Sequence, residues 1–179
     1  SKNDPNNICT LCYSWTMLKT FRQNMAPSLQ RNSDLLTSKI LHPDALPVIN
    51  QAFFRFNSHG ELDLDKKKAT INLINYINIA IKNPHCNFAL WTKRFDIIKP
   101  YFDKNKKPKN FILVYSNPKI NHIFKKPPKH FDKTFNNVYE NIEVKKQNCT
   151  GQKCKDCLLC YKLDTTNTIV EKVKSYGKK

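Results

Sequence analysis

The stretch at 110–116 reads NFILVYS. Apart from its ends it is wholly apolar. A strand that reads this way has both faces covered, as strands in a parallel sheet do. Working outward, 88–92 (FALWT) has the same character, and 51–57 (QAFFRFN) is an aromatic run bounded by SHG, so both read as strands. Between the first two of these strands, Asp65 can cap a helix running to about Lys82, with Leu73, Ile74, Ile77, Ala80 and Ile81 as one apolar stripe. Asn83-Pro84 stops it. A short helix over 93–99, with Phe95 and Ile98 inward and Pro100 as its stop, joins the second strand to the third. Strand, helix, strand, helix, strand in this rhythm predicts a βαβαβ core with a parallel sheet.

In such sheets ligands gather at the C-terminal ends of the strands. That rule points to 58–61 (SHGE), 92–94 (TKR) and 116–119 (SNPK). Gly60 allows a tight turn after its strand, Glu61 could accept hydrogen bonds from an ammonium group, and Arg94 could hold an anion. An ordinary turn with a solvated Glu61, and a charged helix start at Lys93-Arg94, are the plainer readings of the same residues. Elsewhere, helices are expected at 14–24, carrying Trp15, Leu18 and Phe21, and at 27–41, carrying Leu29, Leu35, Leu36 and Ile40. A surface loop is expected at 117–133 and a further strand at 138–144. The stretch 168–173 (TIVEKV) reads as a strand or the start of a helix.

Chemistry concentrates in the cysteines. Residues 149–160 read CTGQKCKDCLLC, with four, two and two residues between neighbours. Two-residue gaps let both sulfurs of a pair face one centre, which tetrahedral zinc or an iron–sulfur cluster requires. The successive short gaps at Cys154, Cys157 and Cys160, and the absence of His among them, lean toward iron–sulfur. The plainer alternative is a zinc knuckle that staples a C-terminal lobe. A second pair, Cys9 and Cys12, stands in ICTLCYS. It could complete the same site, supply part of a second one, or act as a redox dithiol. Cys86 reads as a buried thiol. Three glycines in 179 residues argue against a phosphate-cradling loop, and no Ser/His/Asp motif stands out.

A net charge of +17 attracts phosphate, and so raises nucleic acid as a partner. Only four of the 31 basic residues are Arg, however, and Asn and Ile are abundant, a composition expected of an AT-rich genome. Lys is the weaker marker for bidentate recognition. A hydrophobic content of 40% with eleven Phe predicts a folded chain. No apolar run approaches the roughly 20 residues that span a bilayer, and 1–7 is polar, so a cytoplasmic protein with clustered metal-binding thiols is expected.

Taken in order, ICTLCYS, FFRFNSHGELDL, NFALWTKR, NFILVYSNP and CKDCLLCYK resemble the phage and plasmid proteins of the gene-product-eighty-eight family, over roughly 9–162. The chain also looks like phage proteins with a partial radical-SAM-like barrel. The resemblance implies a partial (β/α) barrel, a [4Fe–4S] cluster held near the first loop, and S-adenosylmethionine meeting the turn at His59, Gly60 and Glu61. It also implies an auxiliary cluster region at the C-terminal cysteines. One departure stands out. A radical-SAM motif has three cysteines; Cys9 and Cys12 match the last two, and Pro5 stands where the first would fall.

The expectation is therefore an α/β chain: a partial barrel with a mainly parallel sheet over 1–148, and a C-terminal cysteine-rich metal-binding segment, 149–179, packed on it as one domain. Cys9, Cys12, Cys149, Cys154, Cys157 and Cys160 are its candidate ligands, and Gly60, Glu61 and Arg94 its candidate cofactor-binding residues. The sequence leaves open whether it is an enzyme. Two alternatives accompany this reading. One is a zinc-stapled basic protein that binds nucleic acid through Lys-rich loops at 104–109 and 125–133, with Phe124, Phe131 and Tyr139 for stacking. The other is a phage-encoded inhibitor that occupies a host protein's surface.

Overall fold

The structure is a computed structural model that describes residues 4–139 and 147–173. Five strands form one sheet: β1 Phe53–Phe56, β2 Asn87–Thr92, β3 Phe111–Ser116, β4 Lys133–Val138 and β5 Thr168–Lys172. They lie side by side in chain order, and every neighbouring pair is parallel. The centre of the sheet is the pair β2 and β3, registered Phe88↔Phe111 through Thr92↔Tyr115. Right-handed crossovers between parallel neighbours in unbroken chain order all fall on one side of the sheet. This is the layout of a barrel sector, with the helices that connect the first three strands on one face.

Alternation along the strands divides the two faces. Phe56, Phe88, Leu90, Phe111 and Leu113 face the helices and join the main core, with Leu73, Tyr76, Ile77 and Ala80 of α3 (Lys66–Lys82) and Ile97, Ile98 and Phe102 of α4 (Phe95–Phe102). Trp91, Ile112 and Val114 face the other way and form a second cluster with Phe135 and Cys160. That inner face carries the site.

Asp65 caps α3 as expected, accepting a hydrogen bond from the Lys68 amide at 2.9 Å. Two asparagines lock the preceding chain onto α3. Asn75, fully buried, accepts from the Leu41 amide and donates to the Leu36 and Lys39 carbonyls, each at 2.9 Å. Asn83 accepts from the Ile49 amide and donates to the Pro47 and Ile79 carbonyls. Asn110 donates to three carbonyls where α3 ends, those of Ala80, Asn83 and Cys86. The asparagine content thus has structural work here, whatever the genome's bias.

Several expected boundaries shift. The first helix, α1, is Tyr13–Lys19, and α2 is Ala26–Ser38. Trp15, Phe21, Leu35, Ile40 and Ile81 are exposed, because each lies off the side of its segment that meets the core. Pro100 does not stop α4. It removes one helical hydrogen bond, and the burial of Phe102 beyond it offsets that loss. The fourth strand begins at Lys133, five residues before the expected start, because Phe135 and Val138 seat in the core while polar Thr134 and Asn136 find buried partners. The rest of the expected strand at 138–144 falls largely outside the described residues. The stretch at 168–173 is strand, paired with β4.

Among the described residues, no helix is long and apolar enough to cross a membrane.

Candidate functional site

Segments from the head and the tail of the described chain, around 8–18 and 149–160, lie over the inner face. At the head, the Ile8 amide donates to the Pro118 carbonyl at 2.8 Å, the Ile120 amide donates to Asn6 at 2.7 Å, and Asn7 bridges Lys119. A turn at Ile8–Leu11 follows, capped by Asn7, whose side chain accepts from the Cys9 amide. Cys12 then stands at the start of α1. That helix is tied to the end of β1: the Tyr13 hydroxyl donates to the Ser58 carbonyl at 3.1 Å, and His59 Nδ1 meets Ser14 Oγ at 3.2 Å. His59 Nε2 faces the Arg22 guanidinium at 3.4 Å. Burial and then the charges of Arg22 and Arg55 hold the His59 imidazole below its usual pKa, which favours its neutral form.

At the tail, the Asn148 and Cys149 amides both donate to the Val170 carbonyl of β5, and Cys149 Sγ lies 3.6 Å from Glu171 Oε1. A single helical turn, α5 (Cys154–Cys157), ends at Leu158, whose φ of 54° is left-handed. Gln152 donates to Cys157 Sγ at 3.3 Å. Cys160 packs into the inner-face cluster.

Head, tail and strand ends enclose a cavity of about 530 Å³. Its wall includes Cys9, Cys12, Cys149, Cys154 and Cys160, together with Arg55, Asn57, Trp91, His59, Gly60 and Glu61. Five of the six clustered cysteines therefore open on one space; Cys157 is not on its wall. All seven cysteines are free thiols. Burial foremost, then the charges of Cys149, Cys154 and Cys157, push the Cys160 thiol up to about 12, with Arg55 opposing. Among the described residues, no three His, Cys, Asp or Glu side chains come close enough to hold a metal ion. The sulfurs share a cavity without forming a ligand sphere.

The strand-end residues divide. Gly60 has φ of 153°, a conformation essentially restricted to glycine. That conformation carries the chain from β1 into Glu61, whose two oxygens accept from the Leu62 amide at 2.9 Å and the Lys93 amide at 2.8 Å. Glu61 thus ties the end of β1 to the end of β2. Arg94 is not on the cavity wall. It forms a fork with Asp96, with both bonds at 2.9 Å, and also donates to the Asp63 carbonyl. Of the aromatics proposed for stacking on bases, Phe131 is buried between Phe95 and Tyr115 and is closed to a base. In the Lys-rich loops, Lys107 pairs with Asp132, Lys129 with Asp103 and Lys133 with Asp164.

A sequence model for the family described as Gene product 88 matches residues 5–155. The chain belongs to that family. No curated protein matches it, and no solved structure does. The Gene product 88 match takes in the head cysteines, all of β1 to β4, and Cys149 and Cys154. It also takes in a residue that the sequence reading passed over. Arg55 sits in the middle of β1, and its guanidinium carbon lies 3.2 Å from the centre of the Trp91 ring. The available signal was a lone charged side chain in the otherwise apolar run FFRF, at a position facing away from the main core.

Proposed function

We propose that the protein binds an iron–sulfur cluster at the mouth of the inner face. In this reading Cys149, Cys154, Cys157 and Cys160 supply the four thiolates that a cluster takes, and Cys9 and Cys12 at the head replace one of them or hold part of a second site. The observation that supports it most is the convergence of five of these cysteines on one cavity, although 137 positions separate Cys12 from Cys149. The donor set fits: soft thiolates suit iron–sulfur clusters and zinc, and among the described residues carboxylates line the same wall only as Glu61 and Glu171. A buried thiol such as Cys160 becomes a thiolate when a cation binds it, so metal loading would release a proton there.

Bound this way, the cluster would supply electron transfer or a structural tie between the two chain ends. The protein's own residues do the rest. β5 holds Cys149 through the Val170 carbonyl, the inner-face cluster seats Cys160, and α1 carries Cys12 against β1. S-adenosylmethionine, implied by the family resemblance, would meet Gly60 on this wall, but each oxygen of Glu61 is already engaged by an amide.

The test is anaerobic reconstitution with iron and sulfide, read by metal and sulfide analysis and by the visible spectrum. Comparable iron and sulfide on the protein, lost when Cys154 and Cys157 are replaced by Ser, are expected. Protein carrying neither iron nor sulfide refutes the reading, and protein that takes up zinc alone establishes the stapled alternative.

A further inference from the structure

Three buried side-chain nitrogens lack a hydrogen-bond partner among the described residues: Arg55 Nε, Asn57 Nδ2 and Trp91 Nε1. All three side chains line the one cavity, and all three atoms are donors. Buried donors are normally satisfied, so three at one place call for an acceptor-rich occupant. Arg55 makes no ion pair among the described residues, and the groups whose charges act on it are Tyr13, Tyr161, Cys160 and Cys154. Those groups are thiols and phenols, not carboxylates. The Trp91 ring under the guanidinium fixes its plane and leaves the edge to donate. The Tyr76 hydroxyl donates to Asn57 Oδ1 at 2.7 Å, which leaves the amide nitrogen of Asn57 as the free end.

We infer that Arg55, backed by Trp91 and Asn57, is the positive wall of the cysteine centre: it compensates the charge of the thiolates and raises the centre's reduction potential. The inference rests on the iron–sulfur reading above. A cluster held by cysteines is anionic, and one-electron reduction adds a further negative charge. A fixed cation and N–H donors beside the sulfurs favour that reduced state. No bond to the protein forms or breaks, and the electron comes from an external low-potential reductant. Arg55 acts here as a positioning residue for charge, not as a ligand.

The experiment uses the full chain, reconstituted with iron and sulfide, as wild type, Arg55→Met, Arg55→Lys and Trp91→Phe. Each is assayed for iron and sulfide per chain and titrated for its midpoint potential. Arg55→Met should shift the reduction equilibrium at least tenfold toward the oxidised form, about 59 mV downward for a one-electron couple. Trp91→Phe should move it less in the same direction, and Arg55→Lys least. If Arg55→Met fails to load, Trp91→Phe and Arg55→Lys decide by the same ordering. Fully loaded variants with the wild-type potential overturn the inference and leave the cluster standing. Wild-type protein that takes up no iron overturns both.

Discussion

Glu61 offers the sharpest test of how the site is built. If its carboxylate were held ready for a ligand's ammonium group, replacing it would leave the fold alone. The geometry predicts otherwise. Its bond to the Lys93 amide, at 2.8 Å, closes a gap of 32 positions and joins the ends of β1 and β2. A hydrogen bond to a charged group contributes about 1.5–3 kcal/mol. The second bond, to Leu62, links adjacent residues and is partly open to the unfolded chain, so it adds less. Glu61→Ala should therefore cost about 2–3 kcal/mol. For a chain of this length that lowers the melting temperature by about 4–12 °C. Glu61→Gln keeps one acceptor and should fall between. Urea denaturation should show a lower midpoint with an unchanged slope, and hydrogen exchange should show protection lost at the Lys93 amide. A Glu61→Ala protein within about 0.5 kcal/mol of wild type, with Lys93 still protected, would refute the clamp and return Glu61 to ligand binding.

Gly60→Ala meets no atom within 4 Å of the new Cβ, so its cost is backbone strain alone, about 1–3 kcal/mol, and a thermal melt should detect it without loss of the native circular dichroism. Asn75→Ala leaves the Leu41 amide and two carbonyls without partners and should cost about 2–4 kcal/mol by urea unfolding. Lys133 is 1% exposed and donates to Asp164 and to the Thr166 carbonyl. Asp164→Asn removes the counter-charge of that buried ammonium and should cost about 2–3 kcal/mol, whereas Lys133→Met, which removes the buried charge, should cost less. The same pair sets a pH dependence. Hydrogen bonding from Lys133 holds the Asp164 carboxyl below the usual carboxylate range. Its contribution is therefore present above about pH 4 and lost as the pH falls through that range. The stability gap between wild type and Asp164→Asn should narrow on acidification, and a gap that widens would contradict the assignment.

The sheet was legible because its strands are fully covered. The runs around Phe88 and Phe111 are apolar on both faces, and the stripe on α3 has one period and a clear cap at Asp65. β4 was displaced because four of its six residues are polar. Thr134 and Asn136 are buried through side-chain hydrogen bonds, which a hydropathy pattern does not register. The cysteines announced themselves by spacing, and the cavity joins the head pair to the tail group. Arg55 stayed hidden because a single cation inside an aromatic run reads as a strand residue. Only the fold that places it over Trp91, with no carboxylate partner among the described residues, reveals it. For Glu61 the sequence shows a free acid after a turn, and only the fold brings the Lys93 amide within reach.

Chain-order stacking of the strands also carries a timing consequence. A polypeptide leaving the ribosome can assemble β1 to β3 and their helices once Ser116 has emerged, since each new strand joins the one before it. The pocket must wait for Cys149 to meet Glu171 of β5. The side of the pocket built by the cysteines of 149–160 is thereby completed after the sheet that carries it, on a scaffold already formed.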